Sequence, residues 1–459
     1  MTTVRTAWSP EGCLSWSLSV RFAYAGCSAA AFRILRRAFD PLRNPGRAGA
    51  LARMAALGVC ASQLSACMGA FPRDSVPQQF ASSAEPPGYQ PDIRIWGDSY
   101  ASYPASRLVL FRDERLRASK TDPSIKIREL NALTLSGGGS SGAFGAGILA
   151  GWAKAGKIPK FDIVTGISAG ALIAPFAFLG PAYDGELKAG FTEVSDADIY
   201  TKHSFLGALS SGSFTSNAPL AKMLDEHVTE DMLTAIAGEY VKGRRLFIGT
   251  TNLDADRAVI WDMGAIAASG RPDRKKLFTE VILASTSIPG IFPPVNLEVT
   301  ADGRTYHEMH VDGGTANEVF LMPAGLTLGE LEKTFHTKVK ARLYVIRNGR
   351  TTPEYRSVKA TLPDVAEKAV SSLIKTQGIG DLYRLYAVAK RDGIDFNAID
   401  IPADFTVEAK SPFDNRFMRA LYAEGYEMGR DGVPWKKTPP GFETIPPVSA
   451  ARRDEQRAD

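Results

Sequence analysis

Cysteine is nearly missing from this 459-residue chain, and the four present, Cys13, Cys27, Cys60 and Cys67, all fall within the first 67 positions. Everything after them is free of thiols, which excludes disulfides and cysteine-based metal sites from the body of the protein. Histidine is almost as scarce, with His203, His227, His307, His310 and His336 the full set. No cluster of His, Cys, Asp or Glu has metal-ligand spacing, and a lone His307-x-x-His310 does not supply one; no metal and no cofactor are expected. The apolar run from Met54 to Leu64 is too short and too polar to span a bilayer. Excess charge is missing too, once the ends are separated. Positions 1–66 hold eight arginines against Glu11 and Asp40, a net of +6, so the formal +4 of the whole chain leaves about −2 for the rest. The basic balance belongs to a leader, and no nucleic-acid partner is expected.

What the chain does have is a pair of glycine turns between strands and helices. Phe161 to Thr165 is short, apolar and β-branched, as a buried parallel strand should be, and Ala169 to Ala174 resumes as a helix. Between them stands Gly166-Ile167-Ser168-Ala169-Gly170. The two glycines let strand and helix approach closely while Ser168 sits at the apex, its hydroxyl at the positive end of the helix. A hydrolase places a serine nucleophile in such a turn; a plain βα turn is the alternative.

About 30 residues upstream, Leu130 to Leu135 reads as another buried strand running into Ser136-Gly137-Gly138-Gly139-Ser140-Ser141-Gly142, with a helix from Ala143 to Trp152. Consecutive glycines there leave backbone N–H groups free to face one concavity, where the helix dipole adds positive potential. Such a nest can hold an oxyanion. Gly137, Gly139 and Gly142 also satisfy a dinucleotide fingerprint, but that requires an acid at the end of the next strand, and Asp162 stands at its start. A Walker loop lacks its Gly-Lys-Ser/Thr ending.

The third piece is His310-Val311-Asp312-Gly313-Gly314, which follows the Pro-rich block Ala284 to Val295. Alone, Asp-Gly-Gly is a turn signal. A glycine-rich loop, a serine elbow, an Ile-Pro-x-x-Phe-Pro-Pro block and a terminal Asp-Gly-Gly, in this order from about Leu130 to Leu326, resemble the patatin-like phospholipase family. The resemblance implies a three-layer α/β sandwich with a mostly parallel central sheet, and a Ser-Asp dyad that cleaves lipid acyl esters. By it Ser168 is the nucleophile, Asp312 the base, and Gly137, Gly138 and Gly139 the oxyanion donors. The family's loop carries Arg or Lys just before its last glycine. Ser141 stands there instead, which bears on head-group preference.

A carboxylate suits the role chemically, because desolvation raises its pKa toward the working range of a base. Two other readings stay open. A Ser-His-Asp esterase for soluble esters would need His310, which lies two residues from Asp312 and so on the same strand face. A catalytically silent lipoprotein that binds lipid or a partner would use the fold alone.

The expected organisation is an export leader over 1–67, a linker over 68–92, an N-terminal extension over 93–129, the hydrolase domain over 130–326, its completion over 327–435 and a tail over 436–459. Arg43, Arg47 and Arg53 precede the apolar run, and Leu64-Ser65-Ala66-Cys67 resembles a lipobox. That resemblance implies acylation of Cys67, anchoring at a membrane surface, and, with Met68 following, outer-membrane sorting in a Gram-negative host. Arg245 to Thr250, Ala258 to Trp261, Arg342 to Ile346 and Phe396 to Ile401 read as further strands. The stripe of Val365, Ala366, Ala369, Val370 and Leu373, continuing as Leu382, Leu385, Tyr386 and Ala389, reads as helix facing the core.

Overall fold

The computed structural model describes residues 73–90, 93–98, 105–202, 213–321, 327–355 and 357–442. The expected leader over 1–67, with its lipobox-like segment and all four cysteines, lies outside these residues, as does most of the expected tail. The strands of the central sheet are β1 (Arg94–Trp96), β2 (Glu129–Leu135), β3 (Ile163–Gly166), β4 (Arg245–Asn252), β5 (Arg257–Asp262), β6 (Val295–Ala301), β7 (Arg304–Asp312), β8 (Lys340–Arg347) and β9 (Asp395–Asp400). Their order is β1-β5-β4-β3-β2-β8-β9, with the β6–β7 hairpin attached through β7 to β4. From β4 through β9 the pairings are parallel; β5, β1 and the hairpin join antiparallel.

Successive strand residues face opposite sides, and the sequence is apolar on both, so each face is covered. Leu133, Leu135, Val164, Leu246, Ile248 and Trp261 point into one layer of helices. Ala132, Ile163, Phe247, Ile260, Leu343 and Val345 point into the other. The result is a three-layer α/β sandwich around a mixed, mostly parallel sheet.

One register places the site. Along β4, Ile248 lies opposite Gly166 of β3 and Thr250 opposite Asp312 of β7. The C-terminal ends of β3 and β7 therefore meet on one edge of β4, two residues or roughly 7 Å apart along the strand.

The helix after the glycine loop, α2 (Gly142–Lys154), is locked in place by α6 (Asn415–Gly432). Gly147 and Gly151 on α2 face Gly425 and Gly429 on α6. A Cβ at any of the four would collide with a backbone carbonyl of the other helix: those of Tyr422 and Tyr426 for the first pair, Phe144 and Ile148 for the second. The two backbones touch, and any side chain there would force them apart.

Helix α1 (Ala105–Ala118) packs Leu108 and Phe111 on the second layer. Its Arg115 is buried against Asp162, Nη1 to Oδ1 at 2.6 Å, while Asp162 Oδ2 accepts the Asn131 N–H at 2.7 Å. Asp162 is thus a structural partner at the start of β3. Residues 73–90, the main described part of the expected linker over 68–92, lie along the β6–β7 hairpin. Arg73 pairs with Asp254, the His307 N–H donates to Asp74 O at 2.8 Å, and Ala84 packs with Val299 and Ala301. Thr251 and Asn252 close β4, and Leu253 to Asp256 form the hairpin turn into β5, in which Asn252 Oδ1 accepts the N–H groups of Asp254 and Ala255.

The long helix α5 (Leu362–Asp392) corrects part of the periodicity reading. Leu382, Leu385 and Ala389 are buried on the sheet, but Val365 and Leu373 are 51% and 71% exposed. A helix of 31 residues is roughly 46 Å long, well beyond the strands it covers, so its first turns overhang the sheet's end. No helix among the described residues is long and apolar enough to cross a membrane.

Candidate active site

Strand β3 ends at Gly166, and α3 (Ala169–Leu179) begins just past Ser168. Ser168 has φ 53° and ψ −121°, a strained conformation for a residue with a side chain, of a kind that costs on the order of 1 to 3 kcal/mol. The turn needs its glycines: a Cβ on Gly166 would strike Gly170 O, and one on Gly170 would strike Leu135 O. The Ser168 N–H donates to Ser285 Oγ at 3.0 Å, and that hydroxyl donates to Gly249 O at 2.7 Å. Ser285, at the end of α4 (Arg274–Ser285), thereby ties the elbow to β4.

Asp312 is the last residue of β7 and is 2% exposed. Its N–H donates to Ser287 O at 2.9 Å, and its Oδ1 accepts the Gly314 N–H at 2.7 Å. Oδ2 is sealed from solvent without a hydrogen-bond partner of good geometry among the described residues. Burial pushes the carboxyl up to about 7, against the Ser168 hydroxyl and the Gly314 N–H, which both pull it down. A buried oxygen left without a firm partner, beside a strained serine, is a candidate proton acceptor.

The glycine loop lies across the elbow. A Cβ on Gly137 would stand 3.0 Å from Ser168 Cβ. Gly138 has φ 151°, and a Cβ there would run into Asn348 O. Gly139 opens a single 3-10 turn into α2, and no hydrogen bond to a described residue is made by the N–H groups of Gly137, Gly138 or Gly139. Ser141 makes no side-chain capping bond to α2. The loop is held instead by Asn348, just past the end of β8. Its N–H donates to Ser136 Oγ at 2.8 Å, its Nδ2 donates to Ser136 O at 2.8 Å, and its Oδ1 accepts the Gly145 N–H at 3.0 Å.

His310 is fully buried and fully engaged. Nδ1 is 2.9 Å from Thr250 Oγ1 and Nε2 is 3.1 Å from Glu308 Oε2. Glu308 also pairs with Arg94 of β1. Burial holds the imidazole below its ordinary pKa, with Glu308 opposing. This network braces β7 against the N-terminal segment and leaves neither ring nitrogen for Ser168.

Residues 133–324 match the family model of the patatin-like phospholipases. The fold is the patatin fold. The matched segment includes the glycine loop, the Ser168 elbow and Asp312, and it supports hydrolysis of lipid esters. Three solved structures are similar at a lower level. VipD from Legionella pneumophila shares 13% identity over 66% of this chain and 67% of that one, with a TM-score of 0.32. Human GIVD cytosolic phospholipase A2 shares 9% over 74% and 64%, at 0.28, and the type III effector protein ExoU shares 14% over 66% and 53%, at 0.18. No curated protein matches the chain.

Three residues of this candidate site escape sequence reading. Ser285 lies inside the Pro-rich block, where nothing in the local sequence marks its hydroxyl. Asn348 follows an ordinary buried strand. Glu318, four residues past Gly314, is 5% exposed with its carboxyl beside both Gly137 and Gly314. For Asn348 a polar residue directly after a buried strand is the available signal; for Glu318 none stands out.

Proposed function

We propose that this protein is a serine lipid acyl hydrolase in which Ser168 is the nucleophile, Asp312 the base and the Gly137–Gly139 loop the oxyanion site. The observation that carries this reading is the buried Asp312 carboxyl, raised to about 7 and with Oδ2 unpartnered, beside the strained Ser168. Ser168 Oγ attacks the ester carbonyl carbon as its proton passes to Asp312, and the carbonyl oxygen takes the negative charge against the loop N–H groups. The C–O bond to the alcohol then breaks, and the alcohol leaves with the proton from Asp312. Water then attacks the acyl-enzyme carbonyl and gives a proton to Asp312; the acyl–Oγ bond breaks as Asp312 returns that proton to Ser168 Oγ, and the fatty acid departs.

A Ser-His-Asp esterase is disfavoured because both His310 nitrogens are occupied. A silent binding protein is disfavoured by the cost of keeping a strained serine and a buried carboxyl together. A lipid is favoured over a soluble ester by the match of residues 133–324 to the patatin-like phospholipase model. The test is release of fatty acid from phospholipids and from short-chain nitrophenyl esters by the full chain. Hydrolysis of phospholipid is the expected result; a folded protein that cleaves neither class contradicts the proposal.

We further propose export and acylation at Cys67, on the Leu64-Ser65-Ala66-Cys67 signature. Expressed in a Gram-negative host, the full chain should take up labelled fatty acid and partition into detergent. Cys67→Ala should lose the label. Unmodified protein with its leader intact in the cytosol would refute export and leave the hydrolase reading standing.

A further inference from the structure

The site contains a second carboxyl that the reaction above does not use. Glu318 Oε1 lies 2.8 Å from the point where a Cβ on Gly137 would stand, and Ser168 Cβ lies 3.0 Å from that same point. Glu318 Oε2 lies 2.5 Å from the corresponding point on Gly314, with Asp312 Oδ1 3.1 Å from it. The carboxyl therefore spans the gap between the glycine loop and Asp312. Its backbone is pinned: the N–H groups of Glu318 and Val319 donate to Asp381 Oδ2 at 2.7 and 3.2 Å, and Phe320 O accepts the hydroxyls of Thr134 and Thr165 at 2.8 and 2.6 Å.

The charged groups around it come from three elements. Asp312 faces it from the end of β7, Asp381 from α5, and Arg347 from the end of β8; Arg384 of α5 pairs with Asp381 at 3.1 Å. Arg347 Nη1 and Glu318 Cγ both lie against Gly378, yet no hydrogen bond joins the two side chains, and Arg347 Nε and Nη1 are buried without partners. Glu318 is thus a buried acid beside a second acid, and among the described residues Arg347 is the cation that acts on it, without a hydrogen bond between them.

We propose that Glu318 is a positioning residue that works as the neutral acid, filling the space between Gly137 and Asp312, and that its ionisation switches the site off. The inference rests on Ser168 and Asp312 being the reacting pair. A carboxylate at this place would oppose the negative charge that the glycine loop must accept, in surroundings too dry to screen it. Burial and the Asp312 charge push Glu318 well above the ordinary carboxyl range, Asp381 adds to this, and Arg347 opposes it. The two neighbouring acids lose their protons in two steps, the first near 7 making Asp312 a base and the second disabling the loop.

The experiment is the pH dependence of kcat/KM for an acyl ester, followed with the full chain up to about pH 10. The wild type should rise through about 7 and then fall on the alkaline side. Glu318→Gln cannot ionise and should keep the rise and lose the fall. Arg347→Met keeps Glu318 but removes the charge that favours its ionised form, so the fall should move to higher pH; this variant serves if Glu318→Gln does not fold. A fall unchanged in Glu318→Gln, a fall unmoved in Arg347→Met, or a wild-type profile with no fall each overturns the proposal. Activity retained by Ser168→Ala would instead remove the underlying dyad, whatever Glu318 does.

Discussion

Ser168→Ala is expected to lower kcat/KM for ester hydrolysis by at least about 10³-fold, since removal of a hydrolase nucleophile leaves only the residual effect of binding and oxyanion donors. The fold should be unchanged. Alanine keeps the Cβ, the N–H bond to Ser285 Oγ and the φ of 53°, so the turn retains its geometry and its strain. Only the hydroxyl that draws on Asp312 disappears. Circular dichroism and activity should be read on the same sample. Hydrolysis above a few per cent of wild type in a normally folded sample contradicts the nucleophile assignment.

Asp312→Asn should be about as damaging to activity and should also stabilise the protein. The carboxyl moves from an ordinary 3.8 to about 7 in the folded chain. Between those values the folded form holds a proton that the unfolded form has released, so the stability Asp312 contributes below about pH 4 is lost as pH rises to 7. Asparagine does not titrate. It should therefore relieve a cost on the order of 4 kcal/mol at most above pH 7, and little at pH 4. Thermal unfolding at the two pH values checks the sign: a raised Tm at pH 8 with a much smaller change at pH 4 is expected, whereas an equal shift at both would show that burial of the charge is not the cause. In the hydrolysis assay His310→Ala should lower kcat/KM less than tenfold, because its ring serves Thr250 and Glu308. The opposite ranking would make the histidine the base.

The parts of the site that could be read from the residues are those whose chemistry is written in local backbone. Gly166 and Gly170 announce a tight strand-to-helix turn because only glycine tolerates that approach, and Gly137 to Gly139 announce a loop with free N–H groups. The strands were legible because buried parallel strands carry short continuous apolar stretches, as Ile163-Val164 does in β3 and Leu343 to Ile346 in β8. What escaped depends on partners far apart in the chain. Ser285 matters through a hydrogen bond to Ser168, 117 positions away, and Asn348 through bonds to Ser136, 212 positions away. His310 illustrates a different limit. Its spacing from Asp312 placed both on one strand face, but which group each ring nitrogen meets is decided by Thr250 across the sheet and by the Arg94–Glu308 pair. The α5 stripe had the right period and the wrong extent, because periodicity reports a face without saying where the sheet beneath it ends.

The central claim, that Ser168 forms a covalent acyl intermediate with Asp312 as its base, is tested most directly by an alkyl fluorophosphonate, which transfers its phosphonyl group to an activated serine oxygen with loss of fluoride. Intact-mass and peptide mapping of the full chain at pH 8 should find one adduct per chain, on the peptide carrying Ser168, absent in Ser168→Ala and strongly slowed in Asp312→Asn. A folded, lipid-hydrolysing chain that takes up no label, or takes it up at another residue, would contradict the account.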